Sequence, residues 1–272
     1  MPYLITDDQR QIYFEHHLGQ GAQRRLPVLL LHGWGMSTRV WDTTVPALLA
    51  AGHSVVAFDQ RGCGQSDKDF RENTIAASAR DAVALLKHLG IGKVVVNGWS
   101  LGGAVAVDAA GLLGANCAAV VLTAGASPRY VQAADFPYGP PAGTATQTVA
   151  VLQQDRATFL DGLYKAVCAK PVSTAMQAWL WSIAMQTGPA ADAALAELDQ
   201  VEQRAALAAL AVPLLSIVGG LDVVVAPEIG RQAGLCARHG TVVEFADCGH
   251  APFLEDGPRY RQVLLDFLKT LP

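Results

Sequence analysis

The chain has 272 residues, a formal net charge of -4 at pH 7, 51% hydrophobic residues and 16% charged ones. That balance suits a large buried core and excludes a disordered chain. With no cluster of Lys and Arg it offers no electrostatic footprint for nucleic acid or an anionic membrane surface.

The N-terminal residues carry neither a basic n-region nor an apolar h-region, so a soluble, cytoplasmic protein is expected. The longest apolar stretch, 101–126, is interrupted by Asp108, Asn116 and several glycines and divides into a helix and a strand, not a membrane span. The five cysteines are scattered and form no C-x-x-C pair, so neither a disulfide framework nor a zinc site is indicated; they read as buried, inert thiols. No metal and no cofactor is expected.

In chain order, residues 3–6 and 11–16 alternate as an antiparallel hairpin would. Residues 27–31 are a fully apolar strand that ends in His32-Gly33-Trp34-Gly35. Such a turn leaves backbone N–H groups at the C-terminal edge of a sheet, where open α/β sheets bind ligands, and Trp34 is a candidate donor. His32, ending a buried strand, reads as a backbone-bonded structural histidine. A helix is expected over 40–51, kinked or started late by Pro46. A strand at 54–58 opens a loop, Asp59-Gln60-Arg61-Gly62-Cys63-Gly64-Gln65-Ser66-Asp67, whose charges are expected to pair with one another and fix it. Residues 74–89 form an amphipathic helix closed by Gly90.

The run Lys93-Val94-Val95-Val96-Asn97-Gly98-Trp99-Ser100-Leu101-Gly102-Gly103 is a β-branched strand broken by a Gly-x-Ser-x-Gly pentapeptide, with an alanine-rich helix after it. A serine on so tight a strand-to-helix turn is a nucleophile elbow: the glycines allow the close approach, and the free N–H groups of the new helix, that of Leu101 first, face any charge developing beside the hydroxyl. Trp99 flanks the serine.

After a strand at 118–123 the alternation stops. Residues 124–210 show helices over 146–168, 174–186 and 191–210 and no convincing strand, which predicts a helical cap inserted over the sheet edge that carries Ser100. Three segments are therefore expected: core 1–126, cap 127–211 and core 212–272. The cap offers Phe136, Tyr138, Phe159, Tyr164, Met176, Trp179, Trp181 and Met185; most should pack the cap on the core, and Tyr138, Phe159, Trp179 and Trp181 join Trp34 and Trp99 as candidates for an apolar substrate pocket. Strands at 214–218 and 241–245 restore the sheet. The first runs into Gly219-Gly220-Leu221-Asp222, the second into a loop holding His250, and a helix over 258–271 closes the chain.

Ser100, Asp222 and His250 thus lie on loops leaving strand C-termini, with Asp247 and Glu244 as rival acids nearer His250 in sequence. The order serine, acid, histidine, the elbow, and the motifs at 32–35, 59–67, 98–103, 219–222 and 249–255 resemble the α/β-hydrolase superfamily along essentially the whole chain. Within it the chain looks most like small capped carboxylesterases, near cofactor-free perhydrolases and enol-lactonases. The resemblance implies an α/β-hydrolase fold, a mostly parallel eight-stranded sheet with helices on both faces. It also implies Ser100 as nucleophile, His250 as base, Asp222 as the acid orienting it, and the N–H groups of Trp34 and Leu101 as oxyanion hole.

The expected activity is hydrolysis of small-molecule esters with compact apolar acyl groups. Lactone or C–C bond hydrolysis and perhydrolysis use the same triad; Gly35 stands where perhydrolases often carry proline, and the cap shows few polar groups for a ring or dicarbonyl substrate. Serine at the elbow argues against the alkyl displacement of relatives with aspartate there. A ligand-sensing receptor on the same fold is a further reading, which an intact triad disfavours. The sequence leaves homo-oligomer formation open.

Overall fold

The computed structural model describes residues 2–21 and 25–272. Eight strands form one sheet: β1 (Tyr3–Ile5), β2 (Gln11–His17), β3 (Arg25–Leu31), β4 (His53–Phe58), β5 (Val94–Trp99), β6 (Cys117–Thr123), β7 (Leu214–Gly219) and β8 (Gly240–Phe245). Their spatial order is β1, β2, β4, β3, β5, β6, β7, β8. The N-terminal hairpin pairs antiparallel, β2 joins β4 antiparallel, and every later pairing is parallel. Parallel strands need crossover helices, so both faces of the central strands are covered and those strands are buried and mostly apolar, while the edge strand β8 is largely exposed.

The period-2 pleat divides the core into two layers. Leu29, Leu31, Val56, Phe58, Val94, Val96, Val120 and Leu122 face α2 (Ile75–His88), α3 (Leu101–Leu113) and α8 (Pro227–Cys236). Val28, Leu30, Val55, Ala57, Val95, Val121 and Ile217 face α1 (Val45–Ala50), α9 (Pro252–Glu255) and α10 (Gly257–Lys269). Beneath the elbow a buried polar cluster ties α10 to the central strands. Asn97 Nδ2 donates to Tyr260 Oη at 3.0 Å, Thr123 Oγ1 donates to Asn97 Oδ1 at 3.0 Å, and the two hydroxyls lie 3.0 Å apart. A satisfied network of this kind holds one arrangement of the strands that carry Ser100.

Between β6 and β7, residues 124–143 are turns and loop with an isolated bridge of Ala133 to Phe136, and the rest is mainly helical. It holds α4 (Thr144–Ala166), α5 (Thr174–Ala184), α6 (Asp192–Ala196) and α7 (Arg204–Ala209). α4 kinks at Asp155 (φ -151°, ψ 82°), whose carboxylate accepts the Thr158 N–H at 3.0 Å and restarts the helix.

Three details differ from the sequence expectations. The helix expected over 40–51 is a 3₁₀ turn, Thr38–Trp41, followed by α1, because Pro46 belongs in a first helical turn. The helix expected over 191–210 is broken into 3₁₀ turns, α6 and α7. Tertiary hydrogen bonds override its propensity there. Glu197 accepts the Ile75 N–H at the start of α2 (2.7 Å), Asp199 accepts Ala145 and Thr146 N–H at the start of α4 (3.0 and 2.9 Å), and the Gln203 N–H reaches Pro128 O (2.8 Å). The expected loop around His250 contains α9, and Glu255 at its end becomes a positioning group.

Candidate active site

Ser100 sits between β5 and α3 with φ 57° and ψ -125°, a region that side-chain-bearing residues rarely adopt, at a cost of about 1–3 kcal/mol. The surrounding structure enforces it. Ser100 N–H donates to Thr123 O at 3.1 Å, and its carbonyl accepts Gly103 N–H at 2.8 Å and Ala126 N–H at 2.9 Å. A Cβ on Gly98 would collide with the Gly102 carbonyl, and one on Gly102 would lie 2.5 Å from His32 O. The glycines of the pentapeptide are therefore required by strand-to-helix closure. The Ser100 side chain makes no capping bond to α3, which leaves its hydroxyl for other work.

His250 is 2% exposed and held on several sides. Its Nδ1 lies 2.7 Å from Asp222 Oδ2, its backbone N–H donates to Val167 O at 2.8 Å, and its carbonyl accepts Trp99 Nε1–H at 2.8 Å. Asp222 is itself fixed: Oδ1 accepts the N–H groups of Val224 and Val225 at 2.8 and 2.9 Å. The rival carboxylates are engaged elsewhere. Asp247 pairs with Lys170 at 2.8 Å, which lowers its pKa, and Glu244 pairs with Arg231 at 2.9 Å.

The sequence alone did not single out Glu255. Its carboxylate accepts the N–H groups of Gly249 and Ala251 on the histidine loop, at 2.9 and 3.2 Å. It also accepts those of Ala169 and Lys170 just beyond α4, at 2.7 and 2.9 Å. One carboxylate thus fastens the His250 loop to the helical insertion. A glutamate five residues after a histidine is too common a pattern to signal this.

The turn after β3 closes through Met36 N–H to Gly33 O at 3.2 Å, a bond that does not use the Trp34 N–H. The Leu101 N–H belongs to the first residue of α3 and so has no intrahelical acceptor. His32 braces this turn: its Nδ1 lies 2.7 Å from Gly33 O, and its Nε2 accepts Gln60 N–H at 2.9 Å. That acceptor role requires a neutral ring, and burial pulls the His32 pKa below its ordinary 6.5. A histidine with a depressed folded pKa contributes stability that is lost as pH falls below the unfolded value. Unfolding free energy is accordingly expected to fall below pH 6.5 by up to about 1.4 kcal/mol per pH unit for this proton. Urea melts between pH 5.5 and 7.5 test this, and in the His32→Gln protein that part of the slope should vanish.

The loop after β4 departs from its expected internal pairing. Asp59 accepts the N–H groups of Thr38 and Gln65, both at 2.7 Å, while Arg61 reaches out to Asp81 on α2 at 2.6 and 2.8 Å. Cys63, Cys117 and Cys248 are buried as expected, while Cys168 and Cys236 are half-buried; burial pushes Cys63 and Cys168 up to about 12, and Cys117 and Cys248 up to about 11. All five cysteines are free.

Ser100, His250, Trp34, Trp99 and Leu101 line one cavity of about 250 Å³. Its remaining wall comes from α4 and the segments around it, including Tyr130, Phe159, Leu163, Tyr164, Leu195 and Leu198, and from Val223 to Val225 beside Asp222. Among the described residues, no Lys, Arg, Asp or Glu lines it. Of the aromatic residues expected in the pocket, Phe159 is there, while Tyr138, Trp179 and Trp181 are not among the lining. Tyr138 packs edge-on against Phe136, with centroids 5.1 Å apart. Trp179 and Trp181 are both half-buried against the core layer that also takes in α4 and α5 residues, and Trp181 donates Nε1–H to Ala157 O at 3.1 Å. Helical periodicity locates a face without saying which neighbour it meets. Val224, Val225, Leu195 and Leu198 were missed for the same reason, since nothing distinguishes them from core residues.

The elbow on the central strand, the acid after β7 and the histidine after β8 define a class of hydrolase site built on this fold. A family model described as the alpha/beta hydrolase fold matches residues 27–257, and the chain belongs to that family. It is 31% identical over 254 residues to the pimeloyl-[acyl-carrier protein] methyl ester esterase of Vibrio cholerae, covering 92% of this chain and 95% of that one. It is 26% identical over 281 residues to a bifunctional esterase/perhydrolase of Acinetobacter calcoaceticus, covering 99% and 100%. Its fold superposes on an esterase from Exiguobacterium antarcticum with a TM-score of 0.92 at 23% identity, covering 98% of each chain. Among the described residues no helix is long and apolar enough to cross a membrane, and no cluster of His, Cys, Asp and Glu could hold a metal ion.

Proposed function

We propose that the protein is a serine carboxylesterase acting on small, uncharged esters through an acyl-enzyme. The observation that carries this reading is the Asp222–His250 hydrogen bond of 2.7 Å in the cavity wall that also presents the strained Ser100. His250 takes the Ser100 proton as the hydroxyl attacks the ester carbonyl, and Asp222 holds the ring tautomer and stabilises the imidazolium. The tetrahedral oxyanion accepts from the N–H groups of Leu101 and Trp34, each worth about 3 kcal/mol in comparable sites. His250 then protonates the leaving alcohol and activates the water that releases the acid. Residues 127–211 serve as the cap that supplies the apolar wall.

Esterase activity in two relatives supports this class of substrate. A wall without charged side chains supports neutral acyl and alcohol groups over dicarboxylate half-esters, whose free carboxylate would be buried unpaired. The purified protein is expected to hydrolyse short-chain aryl and alkyl esters and to take up a fluorophosphonate at Ser100. Absence of both turnover and labelling would remove the proposal. Labelling without turnover would favour a sensing role on the same fold. Lactones and a peracid assay belong in the same panel, because the Acinetobacter relative combines esterase with perhydrolase activity.

A further inference from the structure

Tyr164, on the last turn of α4, is 3% exposed and lines the cavity, yet its hydroxyl makes no hydrogen bond with a described residue. Burial pushes its pKa up, so it is a neutral donor at any working pH. The Tyr164 oxygen is not among the fully buried unpartnered atoms, so it keeps surface open to the cavity, where a ligand can reach it. Among the other polar groups of the lining, Thr148 donates to Thr144 O at 2.9 Å and His250 is bound to Asp222, whereas Trp34 Nε1 is buried without a partner in the described residues. Nothing in the folding of the insertion uses the Tyr164 oxygen.

Its position relates it to the reacting atoms. A Cβ placed on Gly33 would lie 3.0 Å from Ser100 Cβ, and one placed on Gly35 would lie 3.7 Å from Tyr164 Oη. The turn Gly33-Trp34-Gly35 therefore has the serine at one end and the phenol at the other. Ser100 and Tyr164 both line the cavity, so an acyl chain held on the serine shares the space that the phenol borders.

We propose that Tyr164 is a specificity-determining donor, and that the preferred ester carries a hydrogen-bond acceptor oxygen in its acyl chain. This rests on the carboxylesterase reading and narrows it. An apolar pocket gains little from choosing between isosteres, whereas a pocket with a waiting donor favours the substrate that satisfies it.

Methyl methoxyacetate and methyl butyrate differ only by an ether oxygen in place of a methylene. The intrinsic reactivity difference between the two cancels when the kcat/KM ratio of the native protein is divided by that of Tyr164→Phe, which keeps the ring. The ratio is expected to drop about 5- to 10-fold in the variant, the loss of one neutral hydrogen bond. The melting temperature should stay level, because no hydrogen bond within the protein is lost. A ratio unchanged within twofold overturns the proposal while leaving the esterase reading intact. A lowered melting temperature with both esters losing rate equally also overturns it, by assigning the hydroxyl a packing role. Native protein that turns over neither ester and resists the fluorophosphonate refutes both readings together.

Discussion

Replacing Ser100 with glycine is expected to abolish ester hydrolysis and, at the same time, to stabilise the fold. The backbone at Ser100 has φ 57° and ψ -125°, held there by hydrogen bonds from Ser100 to Thr123 and from Gly103 and Ala126 to Ser100. Glycine occupies positive φ at no steric cost, so about 1–3 kcal/mol of strain is relieved. The larger entropy glycine loses on folding offsets about 0.5–1 kcal/mol of that gain, leaving a net rise of about 1 kcal/mol. Chemistry moves the other way: without the nucleophile, turnover should drop by about 10⁴- to 10⁶-fold. Ser100→Ala separates the two effects, since alanine removes the hydroxyl and keeps the strain; it should be equally inactive with little change in stability. Urea denaturation and ester turnover on the three proteins decide the matter. A glycine variant less stable than native would show that the elbow is not strained, and one that keeps a tenth of native activity would show that Ser100 is not the nucleophile.

Strain of this kind is legible from sequence when it needs a rare residue pattern. Gly98 and Gly102 flank Ser100 because carbonyl groups occupy the space a Cβ would take, and that requirement shows in the pentapeptide before any coordinates exist. The two-layer core was legible for a similar reason: a parallel sheet covered on both faces demands apolar strands of limited length with helices between them. What stayed hidden depends on which long-range partner a residue meets. The segment 191–210 carries enough alanine and leucine for one helix, yet Glu197, Asp199 and Gln203 each turn to a distant backbone group and break it. Trp179 and Trp181 have the size and apolarity of pocket residues, but neither lines the cavity, and Tyr164 on α4 takes a position beside the turn after β3.

Exchanging Asp222 for asparagine is expected to reduce kcat by about 10⁴-fold with little loss of stability, and exchanging it for alanine to damage both. The two oxygens of Asp222 have separate duties: Oδ1 accepts from Val224 and Val225, and Oδ2 faces His250 Nδ1. An asparagine whose amide oxygen stays on the two N–H groups turns its NH₂ toward the imidazole. Nδ1 must then accept, which places the ring proton on Nε2, the nitrogen needed to take the proton of Ser100. The loop stays built and the base is disabled. Alanine strips both duties, and two buried N–H groups left without an acceptor cost about 1–3 kcal/mol each. Asp247→Asn and Glu244→Gln serve as controls, because those carboxylates are paired with Lys170 and Arg231 and should leave kcat within about twofold, as surface pairs contribute little. If Asp222→Asn keeps a tenth of native kcat, or if Asp247→Asn loses more activity than it does, the acid has been misassigned. The comparison of asparagine with alanine matters most, since only the asparagine protein isolates the tautomer from the architecture of the loop that carries it.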